Sequence, residues 1–331
     1  MATITFRDAL REALREEMQR DPSVFLMGED IGRYGGAYAV TKGLLQEFGE
    51  ARVIDTPMSE GTIVGAASGA AMIGGRPVAE IMYVDFMTFA MDQLVNQAAK
   101  IHYMFGGQIR VPMVVRTQQG TGRGAGAQHS QSLEAWFAHI PGLKVVAPAT
   151  PADAKGLLKT CIRDDNPVVF LEHKALYPLK GDVPEGEYLT PLGKADVKRA
   201  GSDVTLISYS QTLHLALQAA VALEAEGIGV QVVDLRSLRP LDMDTVIASV
   251  SKTKRAVIAH EAALTGGVGG EISARLNETL FGELRAPVLR VAAHDVPFPA
   301  NSRLEKFVAP DVERITNAVR STMQYRAHAL A

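Results

Sequence analysis

Short apolar runs alternate with stretches of helical periodicity along most of the chain, and this alternation constrains the fold more than any other feature. Strand-like runs fall at 24–28, 52–55, 77–84, 112–117, 144–147 and 167–172, with helical patterns between them at 41–49, 60–74, 89–105, 131–138 and 151–163. Such a pattern predicts a mainly parallel sheet covered by helices on both faces. The helix at 151–163 has the sharpest bounds: Thr150 is its cap, Pro151 takes the first helical position and Asp153 lies in the first turn. It must stop before Asn166-Pro167, because a residue preceding proline resists the helical region. Near the N-terminus, Phe6, Ala9, Leu10, Ala13, Leu14 and Met18 recur at helical spacing behind Thr5, with Asp8 three residues on as capping partner. Asp8, Glu12, Glu16 and Glu17 in the same stretch are residues that a targeting peptide avoids. This segment therefore reads as an amphipathic helix of a cytoplasmic protein.

The alternation pauses once. Residues 174–200 are rich in proline, glycine and charge and have no sustained period, so they read as a connection or edge loop. A second block follows, with strands at 203–209, 229–234, 255–260 and 287–293 and helices at 211–226, 242–251 and 269–281. The expected organisation is one α/β domain over 1–180, a connecting segment over 181–200 and a smaller α/β domain over 201–331, which suits a chain of 331 residues.

Composition removes several classes of function. The net charge of −3 provides no basic field for nucleic acid and no polybasic patch for a membrane surface. The most apolar stretch, 63–73, is too short to span a bilayer. One cysteine, Cys161, permits neither an internal disulfide nor a multi-cysteine metal cluster, and its apolar helical neighbours make it a small buried hydrophobe.

Several segments carry candidate chemistry. Asp55-Thr56-Pro57-Met58-Ser59-Glu60-Gly61 puts a carboxylate where a strand ends and a helix begins, the place where open parallel sheets bind ligands. The plainer reading of Glu60 is a first-turn acid facing the helix dipole. Gly61, Gly65 and Gly69 recur every four residues, which implies close approach of another backbone, with a subunit or domain interface as the natural candidate. The glycine loop 120–126 leads into His129; it is a flexible active-site loop or phosphate cradle, but lacks the Lys-Ser or Lys-Thr of a P-loop. A lone histidine is more often structural. Gly266-Gly267-Val268-Gly269-Gly270 imitates a dinucleotide fingerprint imperfectly and reads better as a turn into a helix. No metal-ligand histidine spacing and no nucleophile elbow occurs.

Four strings taken in order are specific: Val53-Ile54-Asp55-Thr56-Pro57-Met58-Ser59-Glu60, Ala127-Gln128-His129-Ser130-Gln131-Ser132, Pro141-Gly142-Leu143-Lys144-Val145-Val146, and Asp164-Asp165-Asn166-Pro167-Val168-Val169. From about residue 3 to 320 the chain resembles the beta subunits of the thiamine-dependent decarboxylating component of 2-oxo acid dehydrogenase complexes, including the pyruvate, acetoin and branched-chain enzymes. The resemblance implies a transketolase-like pyrimidine-binding domain followed by a transketolase C-terminal domain. It assigns Glu60 as the glutamate that hydrogen-bonds a pyrimidine nitrogen of thiamine diphosphate, Phe86 as the aromatic stacked on that ring and Met82 as a pocket residue. His129 matches the active-site histidine that orients substrate or assists acyl transfer to a lipoyl group. For Phe86 and Met82, core packing at a strand end is the plainer reading. In some relatives a potassium ion is held by backbone carbonyls, matched here by Met113, Cys161, Ile162, Asp164 and Asn166.

Such enzymes grip the diphosphate and its magnesium with a Gly-Asp-Gly motif and a later Asn pair. This chain has no Gly-Asp-Gly; Gly181-Asp182-Val183 departs from it. The resemblance thus implies a separate alpha subunit that binds magnesium and the diphosphate, an α2β2 assembly, and a lipoyl-bearing acyltransferase core as further partner. The expected function is oxidative decarboxylation of a 2-oxo acid, pyruvate favoured. Alternatives are an acetoin or branched-chain enzyme, a noncatalytic docking subunit, a relative of single-chain transketolase-like synthases, or a nicotinamide-binding enzyme resting on 266–270.

Overall fold

The computed structural model describes residues 1–325. They form two compact units: Met1–Gly120 with Trp136–Leu192, and Thr121–Ala135 with the chain from Gly193 onward.

The first unit opens with β1 (Ala2–Thr5) and α1 (Phe6–Arg20). Thr5 caps this helix by accepting the Asp8 N–H at 3.1 Å, and the apolar spacing noted above forms its buried face. The central sheet takes from this unit β2 (Val24–Gly28), β3 (Val53–Asp55), β4 (Arg76–Ile81), β5 (Val114–Gln119), β6 (Lys144–Val146) and β7 (Val168–His173). They lie in the order β6-β7-β5-β4-β2-β3, all parallel. Every residue of β5 and β7 is buried, as parallel strands covered on both faces require. The helices are α2 (Leu44–Phe48), α3 (Glu60–Met72), α4 (Ala99–Met104), α5 (Glu134–His139) and α6 (Pro151–Arg163). α6 has the bounds read from its cap and stop signals, and Thr150 Oγ1 accepts the Asp153 N–H at 3.1 Å.

Strand order locates a crevice. From β2 the chain moves one way to β3, then returns past β2 to β4 and onward to β5. The direction reverses between β2 and β4, which is where a doubly wound sheet opens a cleft beyond its carboxyl ends.

Two expectations change. The helix over 89–105 is a 3₁₀ segment (Val84–Ala90), a π-helical segment (Asp92–Ala98) and then α4. Apolar spacing marks the buried face but does not choose among i+3, i+4 and i+5 hydrogen bonding. The stretch 174–200 is not featureless: β8 (Lys180–Val183) pairs antiparallel with β1, with Ala2 opposite Val183.

The second unit has β9 (Asp196–Arg199), β10 (Val204–Ser208), α7 (Ser210–Glu224), β11 (Val230–Asp234), β12 (Ser237–Arg239), α8 (Met243–Thr253), β13 (Ala256–Ala263), α9 (Val268–Leu280), β14 (Leu289–Ala293), α10 (Ser302–Val308) and α11 (Val312–Gln324). Its sheet runs β14-β13-β10-β11-β9, with only β9 antiparallel. β9 and the helices α10 and α11 go beyond the elements expected, although Asn301 and Asp311 each cap a helix with their side chains. Among the described residues no helix is long and apolar enough to cross a membrane.

Candidate active site

Three strand ends meet the switch-point crevice. β2 ends at Gly28 and is followed by Glu29; β3 ends at Asp55 and leads to Glu60, the first residue of α3; β4 ends at Ile81 and leads through Met82 to Phe86. Gly28 must be glycine, since a Cβ there would lie 2.7 Å from the Glu80 carbonyl oxygen. Asp55 accepts the backbone N–H groups of Gly32 at 2.6 Å and Arg33 at 3.1 Å, which ties the loop after β2 to the end of β3.

Glu60, Met82 and Phe86 are all partly buried, so each keeps a face toward solvent-accessible space. Glu29 was not singled out from the sequence, although it obeys the same rule as Glu60, a carboxylate just past a strand end. Its burial, then the charges of Asp30 and Glu60, raise its carboxyl above the ordinary range. The two acids stand beyond the ends of adjacent parallel strands, close enough for the Glu60 charge to act on Glu29.

α3 lies against the 3₁₀ and π segments. A Cβ on Gly61 would come within 3.0 Å of the Phe89 carbonyl oxygen, and one on Gly65 within 3.2 Å of Gln93 Cγ. Those two glycines thus serve a close approach inside the chain, where an interface had been the expectation; Gly69 faces open space.

Phe86 is placed by a strained turn. Tyr83 has φ +70°, a conformation costly for a residue with a bulky side chain. Its N–H donates to Gln118 Oε1 at 3.0 Å, and Gln118 Nε2 donates to Glu80 Oε1 at 3.1 Å. Beneath lies a buried ion network that sequence reading missed. Arg116 donates to Glu172 at 2.7 and 2.9 Å and to Glu80 at 2.7 Å, and Tyr177 donates to Glu172 at 2.6 Å. Burial opposes the guanidinium charge, yet Glu172 and Glu80 hold its pKa above the ordinary value. The signal was present: three charged residues inside otherwise apolar strands can be buried only if paired. Aromatic contacts complete the support, with Phe86 edge-on to Tyr83 at 6.3 Å and Tyr38 stacked on Tyr177 at 4.6 Å.

His129 belongs to the second unit, on the segment Thr121–Ala135. It is partly buried and its N–H donates to the Gly126 carbonyl at 3.3 Å.

The carbonyls matched to a potassium site cluster around the end of α6. Ile162 O and Asp164 O each accept from the Arg76 guanidinium at 2.9 Å; Cys161 O accepts from the Asp164 N–H at 3.2 Å and Met113 O from the Val168 N–H at 2.9 Å. Carbonyl oxygens are the donor type a hard cation takes, but two of these already serve the Arg76 guanidinium, whose charge opposes a cation beside them. Cys161 is buried, and burial raises its thiol well above the usual range, which leaves it inert.

The family "Transketolase, pyrimidine binding domain" matches residues 2–180, and "Transketolase, C-terminal domain" matches 193–315. A split-gene transketolase, solved as an inactive beta4 tetramer, superimposes with a TM-score of 0.79 at 23% identity, over 97% of this chain and 99% of that one. The fold class is thus transketolase-like α/β. The pyruvate dehydrogenase E1 component subunit beta of Rhizobium meliloti (strain 1021) is 49% identical across 97% of this chain and 70% of its own length. That of Gracilaria tenuistipitata var. liui is 47% identical across 97% and 99%. The acetoin:2,6-dichlorophenolindophenol oxidoreductase subunit beta of Cupriavidus necator is 47% identical across 98% and 99%. The chain belongs to this family of pyruvate- and acetoin-type dehydrogenase E1 beta subunits.

Proposed function

We propose that this chain is the proton-handling half of a thiamine diphosphate-dependent dehydrogenase acting on a 2-oxo acid, with pyruvate the favoured substrate. The observation that carries the reading is the partly buried Glu60 carboxylate at the switch-point crevice, near enough to Glu29 to raise its pKa. When bound, thiamine diphosphate supplies the nucleophilic carbon and the electron sink for decarboxylation. Glu60 would hydrogen-bond the pyrimidine nitrogen of that cofactor. Phe86 and Met82 would line its pyrimidine ring, and His129 would orient the substrate. An alpha subunit in an α2β2 assembly would bind the diphosphate and its magnesium, and a lipoyl-bearing acyltransferase core would be the further partner. The carbonyls of Met113, Cys161, Ile162, Asp164 and Asn166 would be the ones to hold a potassium ion.

The test is reconstitution with an alpha subunit and an artificial electron acceptor, across pyruvate, acetoin and branched-chain oxo acids. Glu60→Gln should lower turnover by about a hundredfold or more, the scale of a lost acid–base group. Full activity in that variant refutes the assignment. Tight magnesium-dependent binding of thiamine diphosphate by the isolated chain refutes the divided site. A melting temperature equal in potassium and sodium at matched ionic strength refutes the potassium site.

A further inference from the structure

The loop that carries His129 is intrinsically loose. Gly120, Gly122, Gly124 and Gly126 all have positive φ, and such glycines lose much conformational entropy when ordered. What orders the loop is a buried carboxylate from β13. Glu261 is 6% exposed. Its Oε1 accepts the Thr121 N–H at 2.8 Å and the Ser132 hydroxyl at 3.2 Å, and its Oε2 accepts the Thr121 hydroxyl at 2.8 Å. One side chain thus draws together the two ends of the segment 121–132, with His129 three residues inside the second end.

Two further contacts hold the same segment. Glu305 Oε2 accepts the Gly124 N–H at 3.0 Å, and a Cβ on Gly124 would sit 2.8 Å from the Ala300 carbonyl oxygen. Tyr209 donates to Glu134 Oε1 at 2.6 Å just beyond the loop. Burial, then the Glu134 charge, raise the Tyr209 phenol well above its ordinary range, so it stays a donor.

We propose that Glu261 is a positioning residue that closes the glycine loop 121–132 and fixes His129 for its work on the substrate. The inference rests on the substrate-orienting role proposed for His129. Hydrogen bonds to a charged, buried acceptor are the strong kind, so their loss should release the loop rather than loosen it slightly.

Arg123 is exposed near the loop tip and offers trypsin a cleavage point that reports loop opening without any catalysis. In the full-length chain, Glu261→Ala should accelerate cleavage after Arg123 by about tenfold or more. In the reconstituted enzyme, the same variant should lower kcat by a similar factor and leave thiamine diphosphate affinity unchanged. Glu261→Gln keeps a carbonyl acceptor for the Thr121 N–H and should restore most of both. If Glu261→Ala fails to fold, the pair Thr121→Ala and Ser132→Ala removes the two hydroxyl bonds, leaves the residue 121 N–H bond in place, and should act in the same direction with a smaller effect. Unchanged cleavage overturns the loop closure. Faster cleavage with unchanged kcat, while His129→Ala is inactive, overturns positioning alone. Full activity in His129→Ala overturns the underlying role of His129 whatever the protease finds.

Discussion

His260 gives the most quantitative prediction. It lies on β13 with 0% exposure, stacked on Tyr209 at a centroid distance of 6.2 Å. Gly267 and Gly269 close over it, and a Cβ on either would come within 2.6 and 2.7 Å of ring atoms. Neither ring nitrogen makes a well-formed hydrogen bond. Burial lowers the imidazole pKa from 6.5 to about 4, and its weak contact with the Ala262 backbone recovers only part of that loss. The native ring therefore stays neutral where the unfolded ring has already taken a proton. Between these values the unfolded state binds more protons, so stability rises with pH; the contribution is complete above about 6.5 and is lost as pH falls toward 4. The full shift corresponds to roughly 3.4 kcal/mol, of which about 2 kcal/mol is lost on going from pH 7 to 5. His260→Leu, similar in volume and not titratable, should flatten that part of the profile. Urea unfolding followed by circular dichroism at both pH values measures it. If wild type and variant lose stability in parallel, the ring is not the acid-sensitive group and the reasoning fails.

Arg116→Leu strands the carboxylates of Glu80 and Glu172, which are 4% and 0% exposed, and should cost about 4 kcal/mol in urea unfolding. Adding Glu80→Gln and Glu172→Gln should recover most of it, and a triple variant as unstable as the single would contradict a charge-based penalty. Gly142→Ala forces a side chain into φ +101° with its Cβ 1.9 Å from the Ala99 carbonyl oxygen. It should destabilise by about 3 kcal/mol or more, and a melting temperature within a degree or two of wild type would rule out the clash.

The elements easiest to read were those whose signals are local. α6 begins at a cap side chain and stops ahead of a proline four residues past its end, so its bounds need nothing from elsewhere in the chain. β8 has no such signal, being short and partly exposed, and it exists because β1 pairs with it from the far end of the sequence. Glu60 was legible because a carboxylate after an apolar strand is a local pattern and because its flanking string resembles a known family. Glu29 follows the same pattern but showed its relation to Glu60 only once β2 and β3 lay side by side. Glu261 carries no local signal of a task, and its task became visible only when Thr121 and Ser132 closed on it.

Periodicity and punctuation, which act over a few residues, settle in the sequence that this chain forms two α/β blocks and that carboxylates stand at strand ends. Which strand lies beside which, where the winding reverses, and that residues 121–135 pack with the second unit were decided only in three dimensions. Those outcomes depend on burying apolar faces and pairing buried charges between segments far apart in the chain, and no short window of sequence contains both partners.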